Sequence, residues 1–280
     1  MVAVLPYFPY AKQRSEIDIP TKGPRRRSVS QERKVENHSS STTDGIKYNP
    51  WPVQANTLIS NLLIISGVDH FITMDLHDPQ FQGFFDVPLE NLPSLPLMAK
   101  CIKQNIPGWA EAVIVSPDAG GAKRYRIARF APLSLILMAF RVAQLAEALD
   151  LNFALVHQDR RNSDAKILIG NVTNKLAILV DDLADTCDTL INAAEILHNQ
   201  GAASIIAIIT HGIFSGSAAA NLEGSRIDRI YVSNTIPQFK TLQNSTKIHL
   251  FDVSCMFSEA IRRIHNGESV SCLFQPTAIH

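Results

Sequence analysis

The sequence predicts an α/β protein built from parallel sheets flanked by helices. Three observations support this. Short apolar runs alternate with longer amphipathic stretches along most of the chain. Acids and histidines recur just after the apolar runs, at the carboxyl ends of strands, where open α/β sheets carry their sites. At 280 residues and 46% hydrophobic content, the chain can bury a large core divided between two domains.

In order, Ala3–Leu5 reads as a strand fragment, 54–66 as an amphipathic helix and Phe71–Met74 as a strand. A helix over 97–104 and a strand over 112–115 follow, the strand ending in a Pro-Asp-Ala-Gly-Gly turn. Next come a helix over 142–149 and strands over 153–156, 175–180, 205–210 and 229–232. Helices are predicted over 189–199 and 254–265. The net charge is zero, so no basic field argues for nucleic acid or a membrane surface. The scattered cysteines Cys101, Cys187, Cys255 and Cys272 form no CxxC pair and read as reduced thiols of an intracellular protein. No charged stretch followed by an apolar run opens the chain, so no secretory signal is expected and cytoplasm is the default.

The most informative stretch is Leu179–Thr189, LVDDLADTCDT. An apolar strand runs into Asp181 and Asp182, then into a loop of small acidic and hydroxyl residues, then into a helix. Such a helix N-terminus is an anion site, since its amides and dipole favour negative charge. The acids suit sugar hydroxyls or a magnesium-bound hydroxyl, and the threonines suit a phosphate. Together they suggest a phosphoribosyl ligand. A plain Asp/Thr cap before an amphipathic helix is the competing reading.

Further motifs accompany this loop: PYFPY at 6–10, TMDLH at 73–77, QGFF at 82–85 and SPDAGGAKR at 116–124. THGIFSG at 210–216, SNTIP at 233–237 and EAIRR at 259–263 with HNGES at 265–269 complete the series. With the loop, they make the chain resemble the ribose-phosphate pyrophosphokinases (phosphoribosyl-pyrophosphate synthetases), in family order over most of 1–11, 51–124 and 142–275. The resemblance implies two phosphoribosyltransferase-like domains, the first incomplete. Residues 1–92 would be a partial N-terminal domain and 93–280 the C-terminal one. Several strands and helices are expected to precede residue 1 in the family, which implies an N-terminally truncated chain.

The resemblance also implies roles. Asp181, Asp182, Asp185, Thr186, Cys187, Asp188 and Thr189 match the ribose 5-phosphate loop, although the family has a small residue where this chain has Asp188. Lys12, Gln13 and His77 match ATP contacts, and His77 with Asp118 matches the surroundings of the Mg2+ that accompanies ATP. His157, Gln158, Asp159 and Arg160 match a mobile active-site loop in which the family places a Lys where Gln158 stands, two residues before Arg160. Both cations neutralise the transferring group, so Gln158 predicts weak catalysis by this chain alone.

Two segments depart from the family. Residues 21–49 are polar, with Arg25-Arg26-Arg27 and a Ser/Thr run, and read as a disordered insertion of the kind some fungal-type members carry. Removing 125–141 joins GGAKR to VAQLAEALD without a gap. This anomalous insertion is read as a translated intron in preference to an added helix, and it is too short to span a bilayer.

The implied function is ribose-phosphate diphosphokinase: pyrophosphate moves from MgATP to ribose 5-phosphate, giving 5-phosphoribosyl 1-pyrophosphate and AMP for nucleotide biosynthesis. The alternative is a non-catalytic paralogue that regulates or scaffolds active subunits. A nucleobase phosphoribosyltransferase would share the loop but not the flanking motifs. ATP and ribose 5-phosphate are the expected small-molecule partners, within a homo- or hetero-oligomer.

Overall fold

The structure is a computed structural model that describes residues 1–9, 53–117, 133–158, 166–238, 241 and 245–275. Lys12, Gln13, the 21–49 segment, Asp118 and Arg160 lie outside the described residues, as does 125–132 of the anomalous segment.

Two sheets organise the chain. The smaller has the order β1-β2-β3, with β1 Val2–Leu5, β2 His70–Met74 and β3 Leu89–Leu92 all parallel. Between β1 and β2 lies α1, Val53–Ile65. The larger sheet has seven strands in the order β10-β9-β8-β7-β4-β5-β6. These are β4 Val113–Ser116, β5 Asn152–Gln158, β6 Lys166–Ile169, β7 Leu176–Ala184, β8 Ser204–Gly212, β9 Arg229–Ser233 and β10 Ile248–Phe251. All its pairings are parallel except β5 with β6, a hairpin in which Gln158 stands opposite Lys166. The helices are α2 Leu95–Asn105, α3 Leu133–Leu149, α4 Asp188–Asn199, α5 Ala218–Glu223 and α6 Ser254–His265.

Strand periodicity divides the core, because successive side chains of a strand point to opposite faces. Ile114, Ile178, Val180, Ile206 and Ile208 face one layer, closed by Met98 and Ile102 of α2, Val142 and Leu145 of α3, and Met256 of α6. Val113, Val115, Ala177, Leu179, Ala207 and Ile209 face the other, closed by Leu190, Ala194 and Leu197 of α4 and Leu222 of α5. Ile72, Met74 and Leu92 of the small sheet join the first cluster, so the two sheets share apolar packing. Each fully buried Leu or Ile there contributes about 1.5–3 kcal/mol relative to exposure.

The structure corrects several predicted boundaries. The strand expected to stop at Val180 continues to Ala184, because β8 keeps pairing with it as far as Gly212. Asp181 and Asp182 therefore lie within the carboxyl-terminal half of a strand rather than after it. The helix expected from Val142 begins at Leu133, so its first turns come from the anomalous segment. β3, β6 and β10 are short and were not predicted; neighbouring strands supply pairing that four local residues do not signal. No described helix is long and apolar enough to cross a membrane.

Candidate active site

The site forms where the carboxyl ends of β2, β7 and β8 converge. Asp182 continues the face of Ile178 and Val180, which brings its buried carboxylate towards the small sheet. There His77, just past β2, places Nδ1 3.0 Å from Asp182 Oδ2 and 3.3 Å from Oδ1. A carboxylate accepts only, so Nδ1 carries the proton. Burial works to raise the Asp182 carboxyl, but the His77 hydrogen bond, with the positive fields of His77 and Arg141, outweighs it and holds it below the ordinary range.

Asp181 behaves in the opposite way. Enclosure by the protein, then the charge of Asp182, push its carboxyl up to about 8, against the lowering pull of His77. Its Oδ1 accepts the Asp182 amide at 3.0 Å. Two adjacent carboxyls are thus shifted in opposite directions, because one takes a hydrogen bond from His77 while burial and its neighbour's negative charge dominate the other.

Beyond the acids, the chain turns through Asp185 and Thr186 to Cys187, which sits at the N-cap of α4 with φ 66° and makes no side-chain cap hydrogen bond. A plain Asp or Thr cap is therefore not what the loop provides. Asp181, Asp185, Thr186, Cys187 and Thr189 line a cavity of about 330 Å3 at this helix start. Asp188 is the first residue of α4, is exposed and does not line the cavity. Burial, then the Asp185 and Asp182 carboxylates, raise the Tyr7 hydroxyl, which places this residue of the PYFPY motif in the same field.

A second polar centre lies behind the first. Asp75 turns the end of β2 with φ 40°, a left-handed conformation that Asp tolerates better than most residues. Its Oδ2 accepts from Ser94 Oγ and from Thr210 Oγ1, the latter at 2.9 Å, and Arg141 Nη1 lies 3.5 Å from Oδ1. His211 Nε2 donates to the Met74 carbonyl at 3.0 Å, and its Nδ1 lies 2.8 Å from Thr235 Oγ1. Burial depresses the His211 imidazole against the raising influence of Asp75 and Asp182, which agrees with a neutral ring that donates at Nε2 and accepts at Nδ1. Asp75, Ser94, Arg141, Asp181, Asp182 and Thr210 share the wall of a smaller cavity of about 110 Å3.

The structure thus brings together His77, Asp181, Asp182, Asp185, Thr186, Cys187 and Thr189. Of the mobile-loop residues it describes only the backbone of His157 and Gln158, at the end of β5. Sequence reasoning missed Ser94 and Arg141. Neither lies in a strand–acid–loop pattern, and no local signal marks a serine before α2 or an arginine inside α3.

Comparisons with known proteins bear on the family and the fold. The sequence model of the phosphoribosyl synthetase-associated domain matches residues 146–275. Ribose-phosphate pyrophosphokinase 5 of Schizosaccharomyces pombe is 49% identical over 229 residues, covering 81% of this chain and 62% of that protein. The chain thus spans less than two thirds of the length of this curated relative. The crystal structure of phosphoribosylpyrophosphate synthetase from Mycobacterium smegmatis shares the fold, with a TM-score of 0.66 at 24% identity, over 95% of this chain and 72% of that one.

Proposed function

The chain belongs to the ribose-phosphate pyrophosphokinase family, and from that premise we propose that it serves as a ribose-phosphate diphosphokinase subunit, transferring pyrophosphate from MgATP to O1 of ribose 5-phosphate. The observation that carries the reading is the approach of two sheets at one point: His77 of the small sheet meets Asp182 of the large one at 3.0 Å, beside the cavity at the start of α4.

In this reading the cavity holds ribose 5-phosphate. The loop amides and the α4 dipole receive the 5-phosphate, Thr186 and Thr189 donate to it, and Asp181 and Asp182 accept the sugar hydroxyls. ATP approaches from the small-sheet side, with Lys12, Gln13 and His77 against its phosphates. Transfer of this kind depends on positioning and charge neutralisation, which falls to Arg160. An amide at Gln158 in place of a family Lys removes one cation, a loss of about 10²–10³ in rate by analogy with a deleted preorganised donor.

Among the described residues no group of three or more His, Cys, Asp or Glu side chains could hold a metal ion, so Mg2+ would take few protein ligands here. His77 is oriented through Nδ1 by Asp182, which leaves the other nitrogen of a neutral ring for a cation. His77 and Asp118 would hold it, and the bound ion would offset charge on the ATP phosphates.

The second reading is a non-catalytic paralogue that regulates or scaffolds active subunits in a homo- or hetero-oligomer, and Gln158 is the observation that favours it. AMP release from MgATP and ribose 5-phosphate decides between the two, measured on the chain alone and mixed with a catalytic paralogue. Release by the chain alone supports the enzyme. Silence alone combined with an altered rate on mixing supports the regulator, and silence in both settings removes both readings.

A further inference from the structure

The sequence contains an ambiguity that only the fold resolves. Arg124 and Arg141 are both arginines, so dropping 124–140 or 125–141 leaves the same sequence, GGAKR followed by VAQL. The motif alone does not say which arginine belongs to it. Arg141 lies on α3, one position before the wholly buried Val142 and four before the buried Leu145. At helical spacing it therefore continues the inward face of Val142, Leu145 and Ala146.

From that face Nη1 of Arg141 reaches to 3.5 Å from Asp75 Oδ1. Asp75 is the acid of the TMDLH motif, and its other oxygen takes the Ser94 and Thr210 hydroxyls. Arg141 also borders the cavity whose wall includes Asp181 and Asp182. One guanidinium thus ties α3 to the end of β2 directly behind the acid pair of β7. No other Lys or Arg is described at this cavity.

We propose that Arg141 acts as the arginine of the GGAKR motif, a positioning residue that clamps α3 to Asp75 and so holds the rear wall of the ribose 5-phosphate site, which makes 124–140 the added stretch. The proposal rests on the ribose 5-phosphate reading given above. A planar, permanently charged fork suits the task, because it keeps its charge in a partly buried setting and meets a carboxylate at fixed geometry. Removing it leaves the enclosed Asp75 carboxylate with hydroxyl donors only, an uncompensated charge that loosens the contact between α3 and the end of β2.

The test uses the full chain with Arg141→Gln, Arg141→Lys and Arg124→Gln, reading ribose 5-phosphate binding by calorimetry. Arg141→Gln is expected to weaken binding about 10–100-fold, the usual effect of losing a partner that orients a site residue. Arg141→Lys should recover part of that loss, and Arg124→Gln should leave binding unchanged. A parallel thermal-unfolding cycle pairs Arg141→Gln with Asp75→Asn, and the double variant should melt no lower than the worse single one. Additive losses in the cycle overturn the clamp. A lowered midpoint with unchanged sugar-phosphate affinity also overturns the proposal, since the pair would then serve folding only. Absence of binding by the parent chain would sink the ribose 5-phosphate reading, while the cycle still decides whether Arg141 and Asp75 act together.

Discussion

His77 Nδ1 and Asp182 Oδ2 stand 3.0 Å apart although 105 residues separate them, and their hydrogen bond joins the two sheets at the mouth of the candidate site. A buried carboxylate persists there because an imidazole, a guanidinium at Arg141 and a second histidine at 211 surround it.

The acid pair sets two opposite pH dependences. Asp182 is held below its ordinary value, so its stabilising contribution is present above about 3.9 and is lost as pH falls through the lowered native value. His211 is also depressed, so its contribution is present above about 6.5 and lost on further acidification. Asp181 is raised to about 8, so its contribution is present below about 3.9 and is lost as pH climbs towards 8. Denaturant titrations across pH should show Asp182→Asn shrinking the acid limb and Asp181→Asn flattening the alkaline one.

Thr210 is wholly buried and donates to Asp75, with the Ser94 hydroxyl oxygen 2.8 Å from its own. Thr210→Val keeps the shape but removes a donor from an enclosed carboxylate. A loss of about 1–3 kcal/mol in unfolding free energy is expected. A change within error in chemical denaturation would show that Ser94 and Arg141 satisfy Asp75 without it.

Gly212 ends β8 against Phe214 and Val232. An added methyl group would overlap the Phe214 ring and lie 2.8 Å from Val232 Cγ2. Gln238 Nε2 also donates to the Gly212 carbonyl, so the backbone has little room to retreat. Gly212→Ala should lower stability by about 1–3 kcal/mol, read as a reduced melting temperature.

Gln158→Lys should raise AMP release by the chain by about 10²–10³ if a missing cation limits the transfer. An unchanged rate in that variant would detach Gln158 from the chemistry, overturn the active-site-loop reading and remove the observation that favours the regulatory paralogue.

Much of this architecture follows from local pattern. The apolar run ending in Asp181-Asp182, the small-residue loop and the helix from Asp188 are contiguous, so strand, loop and helix N-terminus could be placed in order before any contact was known. The short strands β3, β6 and β10 were not: their pairing comes from β2, β5 and β9, and nothing within the runs themselves signals it.

The same division holds at the site. Residue order by itself determined the α/β class, the carboxyl-end location of the acids and the strand–loop–helix order from Leu176 to Asn199, since each depends on periodicity and spacing along a few neighbouring residues. Only the tertiary structure decided that Asp75 meets Ser94, Thr210 and Arg141, that His77 meets Asp182, and that the two acids of one dipeptide titrate in opposite directions. Pairing between distant residues and desolvation are properties of the packed molecule, and no window of sequence contains them.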